Sequence, residues 1–239
     1  LVITQGGTGT GIDRMDDKTP SAWEEAYGYG LSTGVQTVSG ASSGAGLELT
    51  PNMMPDGTTL RLAWTPDHDS GYGNDKTSGG DGGAGGGQAI DVTLELSSEA
   101  TGMEGLNIYG GYSDISQDAT AAAIKGDKEE YTVGASYAVG GFTLGYQYSM
   151  EDVAGSAADY YENNAYGITF NVSDNLTVGY NNYKSEKNNV TAADIELEAS
   201  SMQIAYTMGG MSIRVADGNV DNRNYSTTAA NDLDGRTFS

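Results

Sequence analysis

From residue 46 onward, the chain alternates apolar and polar residues at every second position. Leu60, Leu62 and Trp64 are separated by Arg61 and an alanine, and Leu144 and Tyr146 belong to a similar run further on. A period of two, repeated over short segments, is typical of β-strands with one apolar face. The pattern predicts strands over residues 46–53, 58–66, 88–98, 105–114, 128–139, 141–151, 163–173, 175–185, 194–208 and 211–218.

Short and long connections alternate between these segments. The short ones are rich in Gly, Asp and Asn, which tolerate positive φ in tight turns. They fall at 55–57, 98–105, 140–141, 174–175 and 209–210, and the long polar links at 67–88, 115–127, 152–162, 185–193 and 219–235. This sorting predicts an all-β, transmembrane, antiparallel up-and-down barrel with tight periplasmic turns and long outer loops. A β-sandwich with Greek-key crossings has no reason to sort its loops in this way.

The two faces of the predicted strands differ in composition. One holds Leu, Val, Ile, Tyr and Phe, and the other holds Thr, Asn, Gln, charged residues and many small residues. Small polar side chains would pack poorly as a core but suit a wide, wet lumen, so we expect the apolar face to point outward. The expected outward residues are Leu94, Leu144, Tyr146, Ile168 and Val178, and the expected inward ones are Thr93, Thr143, Gly167 and Thr177.

One segment breaks the alternation. Ile195 and Leu197 have the opposite parity to Met202 and Ile204, so the pattern changes near residues 199–201. A β-bulge would produce this change. A strand whose upper end rises above the lipid would produce it as well, because no face need then be apolar.

Composition narrows the possible functions. The 239 residues suffice for one large domain, and the net charge of -22 argues against nucleic-acid binding and against adhesion to anionic lipid through a basic face. Without cysteine, neither disulfides nor thiolate metal sites are available. No apolar run approaches the roughly 18 residues of a membrane helix. Membrane barrels need no such run, because only every second strand residue faces lipid. Composition alone also fits an acidic, Gly-rich extracellular β-protein.

Several hairpins resemble those of gram-negative general diffusion porins, most closely the alphaproteobacterial type. They are Gly140–Tyr146, Ser173–Tyr180 and the segment Gly235–Ser239, which resembles the opening of a closing strand. The resemblance implies a sixteen-stranded barrel in the bacterial outer membrane, surrounded by lipid and assembled as a homotrimer. It implies passive diffusion of ions and small hydrophilic solutes, with no enzymatic activity and no cofactor.

The resemblance also implies a division of the chain. Residues 1–239 would form one porin domain, in which 1–5 end a strand, 6–45 form a loop that folds into the pore, and 46–239 are consecutive hairpins. About 10–11 of the sixteen strands would be present. We therefore expect a fragment that lacks the N-terminal strands and the C-terminal end.

In such porins, carboxylates on the inward loop face charged groups on the wall. The resemblance makes five acids pore-constriction candidates: Asp13, Asp16, Asp17, Glu24 and Glu25. Four residues on polar strand faces are pore-wall candidates: Arg61, Asp91, Glu95 and Arg214. Ser21 and Glu24 fit a capping box, which predicts a short helix beginning near Ser21. Solvated loop charges without a pore role are the alternative for each acid.

The loop charges favour modest cation selectivity. Five acids against Arg14 and Lys18 leave about -3 between residues 6 and 25. Unseen basic residues on earlier strands would oppose this preference.

Metal-binding and catalytic motifs are weak. Residues 67–75 cluster hard oxygens, which leaves calcium possible, but they lack the third acid and the closing Glu of an EF-hand. Residues 79–83 resemble one poor nonapeptide repeat, and we expect a flexible Gly-rich loop over this region. No nucleophile elbow or phosphate-binding loop is present. The alternative function is a secreted, acidic, β-rich adhesin or surface-layer protein that binds calcium through its loops.

Overall fold

A computed structural model describes residues 1–5, 9–28, 31–43, 45–66, 86–117, 126–153, 155 and 157–239. Within these ranges the chain forms one sheet of twelve antiparallel strands, in which each strand pairs with its neighbours in sequence. The strands are β1 (Val2–Gln5), β2 (Ala45–Leu49), β3 (Thr58–Thr65), β4 (Gly86–Leu96), β5 (Leu106–Gln117), β6 (Lys128–Val139), β7 (Phe142–Asp152), β8 (Ala158–Ser173), β9 (Leu176–Asn189), β10 (Ile195–Met208), β11 (Met211–Asp221) and β12 (Leu233–Phe238). In the described part of the chain, β1 and β12 are the two edges of the sheet.

The predicted strand order is confirmed. The ten segments predicted between residues 46 and 218 are β2 to β11, joined by nearest-neighbour hairpins. A one-turn α-helix, Ser98–Thr101, occupies the longest tight connection. No helix in the described ranges is long and apolar enough to cross a membrane.

Two links predicted to be long are short, because the strands beside them extend further than the alternation indicates. β8 begins at Ala158 and β9 continues to Asn189, which leaves only 153–157 and 190–194 as connections. The added strand ends carry charged pairs, such as Glu162 opposite Glu186, instead of apolar residues. A hydrophobic period cannot reveal strand structure in such a segment.

The apolar face of the sheet points outward, as predicted. Along β4, Leu94 is 40% exposed, whereas its neighbour Thr93 is 1% exposed. Leu144, Tyr146 and Ile168 are also exposed on this face. Val178, Thr143 and Thr177 are half-buried near tight turns, and Gly167 is buried on the inner face. Outward rings pack against one another across strands, with centroids 4.4 Å apart for Phe142–Phe170 and 5.1 Å for Tyr146–Tyr166.

The inner face of the sheet surrounds the connection between β1 and β2. The described parts of this connection, residues 9–28 and 31–43, are called the inner loop. The inner loop contains two 3-10 helices, Gly11–Met15 and Gly40–Ser43. It forms hydrogen bonds with the inner sides of β2, β4, β6, β7 and β10. A sheet that touches one short segment from so many strands must curve around it.

The helix predicted near Ser21 is absent. Residues 22–24 form a bend instead, and the wall satisfies the backbone groups that a helix cap would have satisfied. Gln203 Oε1 of β10 accepts the backbone N–H groups of Trp23 at 2.8 Å and Glu24 at 3.3 Å. A capping-box motif describes local preferences only, and here a tertiary contact replaces it.

The break in alternation on β10 comes from a small apolar core on the inner face. β10 keeps an unbroken register with both β9 and β11, so no bulge is present. Leu197 and Ala199 are fully buried and pack with Tyr183, Val220 and Ala26 of the inner loop. At this height the inner face of β10 meets the inner loop instead of open lumen, so apolar residues are favoured there.

Candidate functional site

Three carboxylates on the wall bind backbone N–H groups of the inner loop. Gly11 N donates to Glu48 Oε2 at 2.8 Å. Asp91 accepts from Ile12 N at 2.9 Å and from Ala41 N at 3.0 Å. Glu130 Oε2 accepts from Ser39 N and Gly40 N, both at 2.7 Å. Hydrogen bonds to an ionised acceptor are stronger than neutral ones, so these acids (the anchor carboxylates Glu48, Asp91 and Glu130) fix both 3-10 turns to the wall.

Glycine is required where the inner loop meets Asp91. Gly11 and Gly40 both have positive φ, +58° and +50°. A Cβ at either position would lie 1.9 Å or 2.3 Å from Asp91 Oδ2. Because only glycine adopts this backbone readily and leaves room for the carboxylate, both turns can present their N–H groups to Asp91 at close range.

Two wall glutamines hold the middle of the inner loop. Gln147 Nε2 donates to the carbonyls of Met15 at 2.6 Å and Asp16 at 3.0 Å, and Tyr109 OH donates to Gln147 Oε1 at 2.9 Å. Gln203 also donates to the carbonyl of Glu24. These amides bind the inner loop through its backbone, independently of the loop side chains.

Small residues on the inner face make room for the loop. A Cβ at Gly145 would lie 2.3 Å from Pro20 Cδ, and one at Gly167 would lie 2.3 Å from the Pro20 carbonyl oxygen. At Gly179 an added Cβ would be 3.0 Å from the Ala22 side chain. The small residues of the polar strand faces therefore do more than widen the lumen, because they also seat the inner loop.

An open polar cleft of about 570 Å³, called the charged cleft, lies between the first half of the inner loop and β3–β4. Its lining comprises Gly9, Asp13, Arg14, Asp16, Asp17, Lys18, Arg61 and Glu95. Arg14 forms an ion pair with Glu48 at 2.8 Å. Glu95 forms two ion pairs, one with Lys18 at 3.2 Å and one with Arg61. The cleft thus carries both signs of charge, and its ion pairs link the loop to the wall.

Two carboxyls of the inner loop have pKa values well above the ordinary range of acidic side chains. Burial, together with the neighbouring Asp17 and Asp13 carboxylates, raises the pKa of Asp16 to about 8. Burial and the adjacent Glu24 raise the pKa of Glu25 to about 9. At neutral pH these two carboxyls are therefore mainly uncharged, which reduces the negative charge of the inner loop.

The nine candidate residues lie in different parts of the inner face. Asp13, Asp16, Asp17, Arg61 and Glu95 line the charged cleft. Glu24 and Glu25 lie further along the inner loop, where Asn181 and Gln203 bind the Glu24 carbonyl.

The other two wall candidates lie outside the charged cleft. Asp91 is fully buried and accepts hydrogen bonds from the inner loop. Arg214 is exposed near the 209–210 turn, on the parity of the inner face, opposite Ala205. A pore role for all nine residues stays a prediction.

Sequence reasoning missed several residues of this site as functional candidates. They include two residues of the inner loop, Arg14 and Lys18, and four of the wall, Glu48, Glu130, Gln147 and Gln203. The four wall residues are long polar side chains at inward positions of predicted strands, so strand parity could have singled them out. Parity does not reveal which loop atom each residue meets.

The calcium candidates at 67–75 and 79–83, with His68, lie outside the described residues. Within the described ranges, no group of three or more His, Asp or Glu side chains is placed to hold a metal ion.

Comparison with known proteins finds a likeness to solved structures. No family model and no curated protein matches the chain. Among solved structures, the trimer form of OmpT, an outer membrane protein of Vibrio cholerae, superposes with a TM-score of 0.61 at 13% identity, over 99% of this chain and 76% of that one. OmpF of Salmonella typhi, solved with daunomycin, superposes with a TM-score of 0.59 at 14% identity, over 82% of this chain and 61% of that one. The chain has the outer-membrane β-barrel fold.

Proposed function

We propose that this chain forms the wall and the constricting loop of an outer-membrane channel, through which ions and small hydrophilic solutes diffuse passively. The observation that carries the proposal is the inverted polarity of the sheet. Its apolar side chains lie outward, and its polar side chains face a lumen that holds a firmly anchored loop. A soluble barrel has the opposite polarity, because its apolar face encloses a core or a greasy ligand.

The setting follows from the same polarity. An outward belt of Leu, Ile, Val, Tyr and Phe side chains suits outer-membrane lipid. A homotrimer is proposed by likeness to porins and is supported by the trimer form of the Vibrio cholerae protein. The arrangement needs no catalytic chemistry, so we propose a channel without enzymatic activity or cofactor.

Mild cation selectivity is the proposed ion preference. The chain carries a net charge of -22, and its long connections at 66–85, 118–127 and 222–232 hold seven acids against three basic residues. A negative vestibule with low-dielectric walls concentrates cations near the pore. Asp13 and Asp17 in the charged cleft add to this field.

Conductance of the whole protein in planar lipid bilayers tests the proposal. We expect discrete current steps that grow with salt concentration, and a reversal potential under a salt gradient with the sign of modest cation preference. Heat-unfolded protein is the matched control and should give no steps. A protein that is soluble and monomeric without detergent, and that conducts nothing, would contradict the channel and favour a calcium-binding surface protein.

A further inference from the structure

Two cavities inside the sheet share one boundary. The charged cleft lies on the side of the inner loop. A second cavity, of about 350 Å³, lies toward the tight turns and is lined by residues such as Gly57, Ser97 and Asn107. Three side chains line both cavities: Lys18, Arg61 and Glu95. A solute that passes from one cavity to the other therefore passes these three side chains.

Glu95 holds the other two side chains together. Its Oε2 atom lies 3.2 Å from Lys18 Nζ of the inner loop, and its Oε1 atom pairs with Arg61 of β3. Lys18, Glu95 and Arg61 are 32%, 30% and 21% exposed, so water and solutes reach all three. This group (the charge bridge Lys18–Glu95–Arg61) carries a net charge of about +1 inside an otherwise acidic protein.

Resting on the proposed channel function, we infer that Glu95 is a specificity-determining residue of the passage. Its carboxylate offsets one of two positive charges at the boundary between the cavities. Without it, Lys18 and Arg61 would present about +2 to a passing ion, and anions would be favoured there. The ion preference of the channel thus depends on a wall acid as well as on the acids of the inner loop.

Glu95 is only one of several wall residues that hold the inner loop in position. The anchor carboxylates hold both 3-10 turns, and Gln147 holds the backbone of residues 15, 16 and 18. Loss of the exposed pairs of Glu95 therefore changes local charge while the loop stays in place. This separation allows an electrostatic role to be distinguished from a structural one.

Reversal potentials of two variants, measured in dilute salt, test the inference. Glu95→Gln should shift the cation-to-anion permeability ratio toward anions, and Lys18→Met should shift it toward cations. Each shift should be about twofold to fivefold, as expected for one unit charge roughly 8 Å away in water. Glu129→Gln is the matched control, because it also removes one carboxylate but lies on an exposed part of β6, where it accepts a hydrogen bond from Tyr112.

Opposite shifts from the two ends of the bridge, with the double variant near wild type, would support the inference. Shifts in the same direction, or none beyond those of Glu129→Gln, would overturn it while the wild-type channel still stands. Lys18→Met keeps the test decisive if Glu95→Gln does not assemble. A wild-type protein that conducts nothing would overturn the proposed function and the inference together.

Discussion

At the scale of single residues, the alternation along a strand decides whether a side chain lies on the outer or the inner face of the sheet. Leu94 and Thr93 are adjacent on β4, yet the first lies on the outward face and the second is buried beneath the inner loop. Polar side chains inside the sheet are covered by the loop, and apolar ones outside lie on the exposed face that we propose to contact lipid. Substitutions at neighbouring positions should therefore have very different costs.

Replacement of Leu144 by Arg should destabilise the folded protein, whereas replacement of its neighbour Thr143 by Arg should be tolerated. Leu144 is exposed on the apolar face and Thr143 is half-buried on the inner face. An Arg on the lipid side of a barrel costs about 2–4 kcal/mol near the membrane midplane and about 0–1 kcal/mol near its boundaries. Because Leu144 lies three residues from the 140–141 turn, we expect a cost between these two values. Urea unfolding in lipid vesicles measures both costs, and equal costs would refute the lipid-facing assignment.

Ion selectivity should depend on pH through Asp16. Because its pKa is about 8, the Asp16 carboxyl gains negative charge as the pH rises from 6 to 10, and cation preference should increase with a midpoint near 8. The variant Asp16→Asn should lack the step near pH 8 and keep only a later increase from Glu25, whose pKa is raised to about 9. A reversal potential that does not change across this range in the wild-type channel would contradict the prediction.

The raised pKa of Asp16 also makes the stability of the folded protein decrease as the pH rises. The unfolded chain releases this proton near its ordinary pKa of 3.8, whereas the folded protein holds it to about 8. The favourable contribution of protonated Asp16 is therefore complete below pH 4 and is lost as the pH rises to about 8. The unfolding free energy of Asp16→Asn should vary less over this interval than that of the wild type.

At the scale of elements, the wall and the inner loop follow different rules. The strands have a hydrophobic period, so their order and the direction of their faces follow from the sequence. The inner loop has no period, and it is shaped by Glu48, Asp91, Glu130 and the two wall glutamines. Its geometry is therefore a tertiary property of the wall.

Sequence reasoning reached the site only in part, for the same reason. Asp91 was predicted as a residue of the pore wall, but it binds loop backbone, and the wall candidate that pairs with Arg61 is Glu95. The apolar inward residues Leu197 and Ala199 break the alternation because they form a buried cluster with Ala26 of the inner loop. Period and parity describe a strand and its faces, but not the segment that packs against it.

Removal of an anchor carboxylate should loosen the inner loop. Asp91→Ala leaves the N–H groups of Ile12 and Ala41 unpaired in a buried site, at a cost of about 1–3 kcal/mol for each. We expect a lower unfolding free energy and noisier single-channel current than in the wild type.

Glu129→Gln, on an exposed part of the wall, is the control for this prediction and should change neither property. Quiet, unchanged current from Asp91→Ala would mean that this carboxylate does not hold the loop.

At the scale of the whole molecule, we propose that net charge governs the flow of ions. In this proposal the excess of acids makes the mouth of the channel negative, while the charge bridge and the protonated acids keep the passage itself close to neutral. Selectivity would then arise mainly from a long-range field, which dissolved salt screens.

Cation preference should decline as salt concentration rises. The screening length is about 10 Å at 0.1 M and about 3 Å at 1 M, so the field of the outer acids no longer reaches the passage in concentrated salt. Changing Asp13, Asp16 and Asp17 together to Asn should lower the preference in dilute salt without blocking conduction. A preference that is equal at 0.1 M and 1 M would contradict a long-range origin.

Because the inner loop is attached through its main chain, its side chains can change in evolution more freely than those of the wall. Wall acids and amides bind peptide groups of the loop, and Gly11 and Gly40 are restricted in type where they meet Asp91. Exposed side chains of the loop can therefore be exchanged while its docking persists. Mutation of exposed loop side chains alone could therefore change the ion selectivity, in evolution or by design. Substitutions of the wall residues that bind the loop backbone would be far less tolerated.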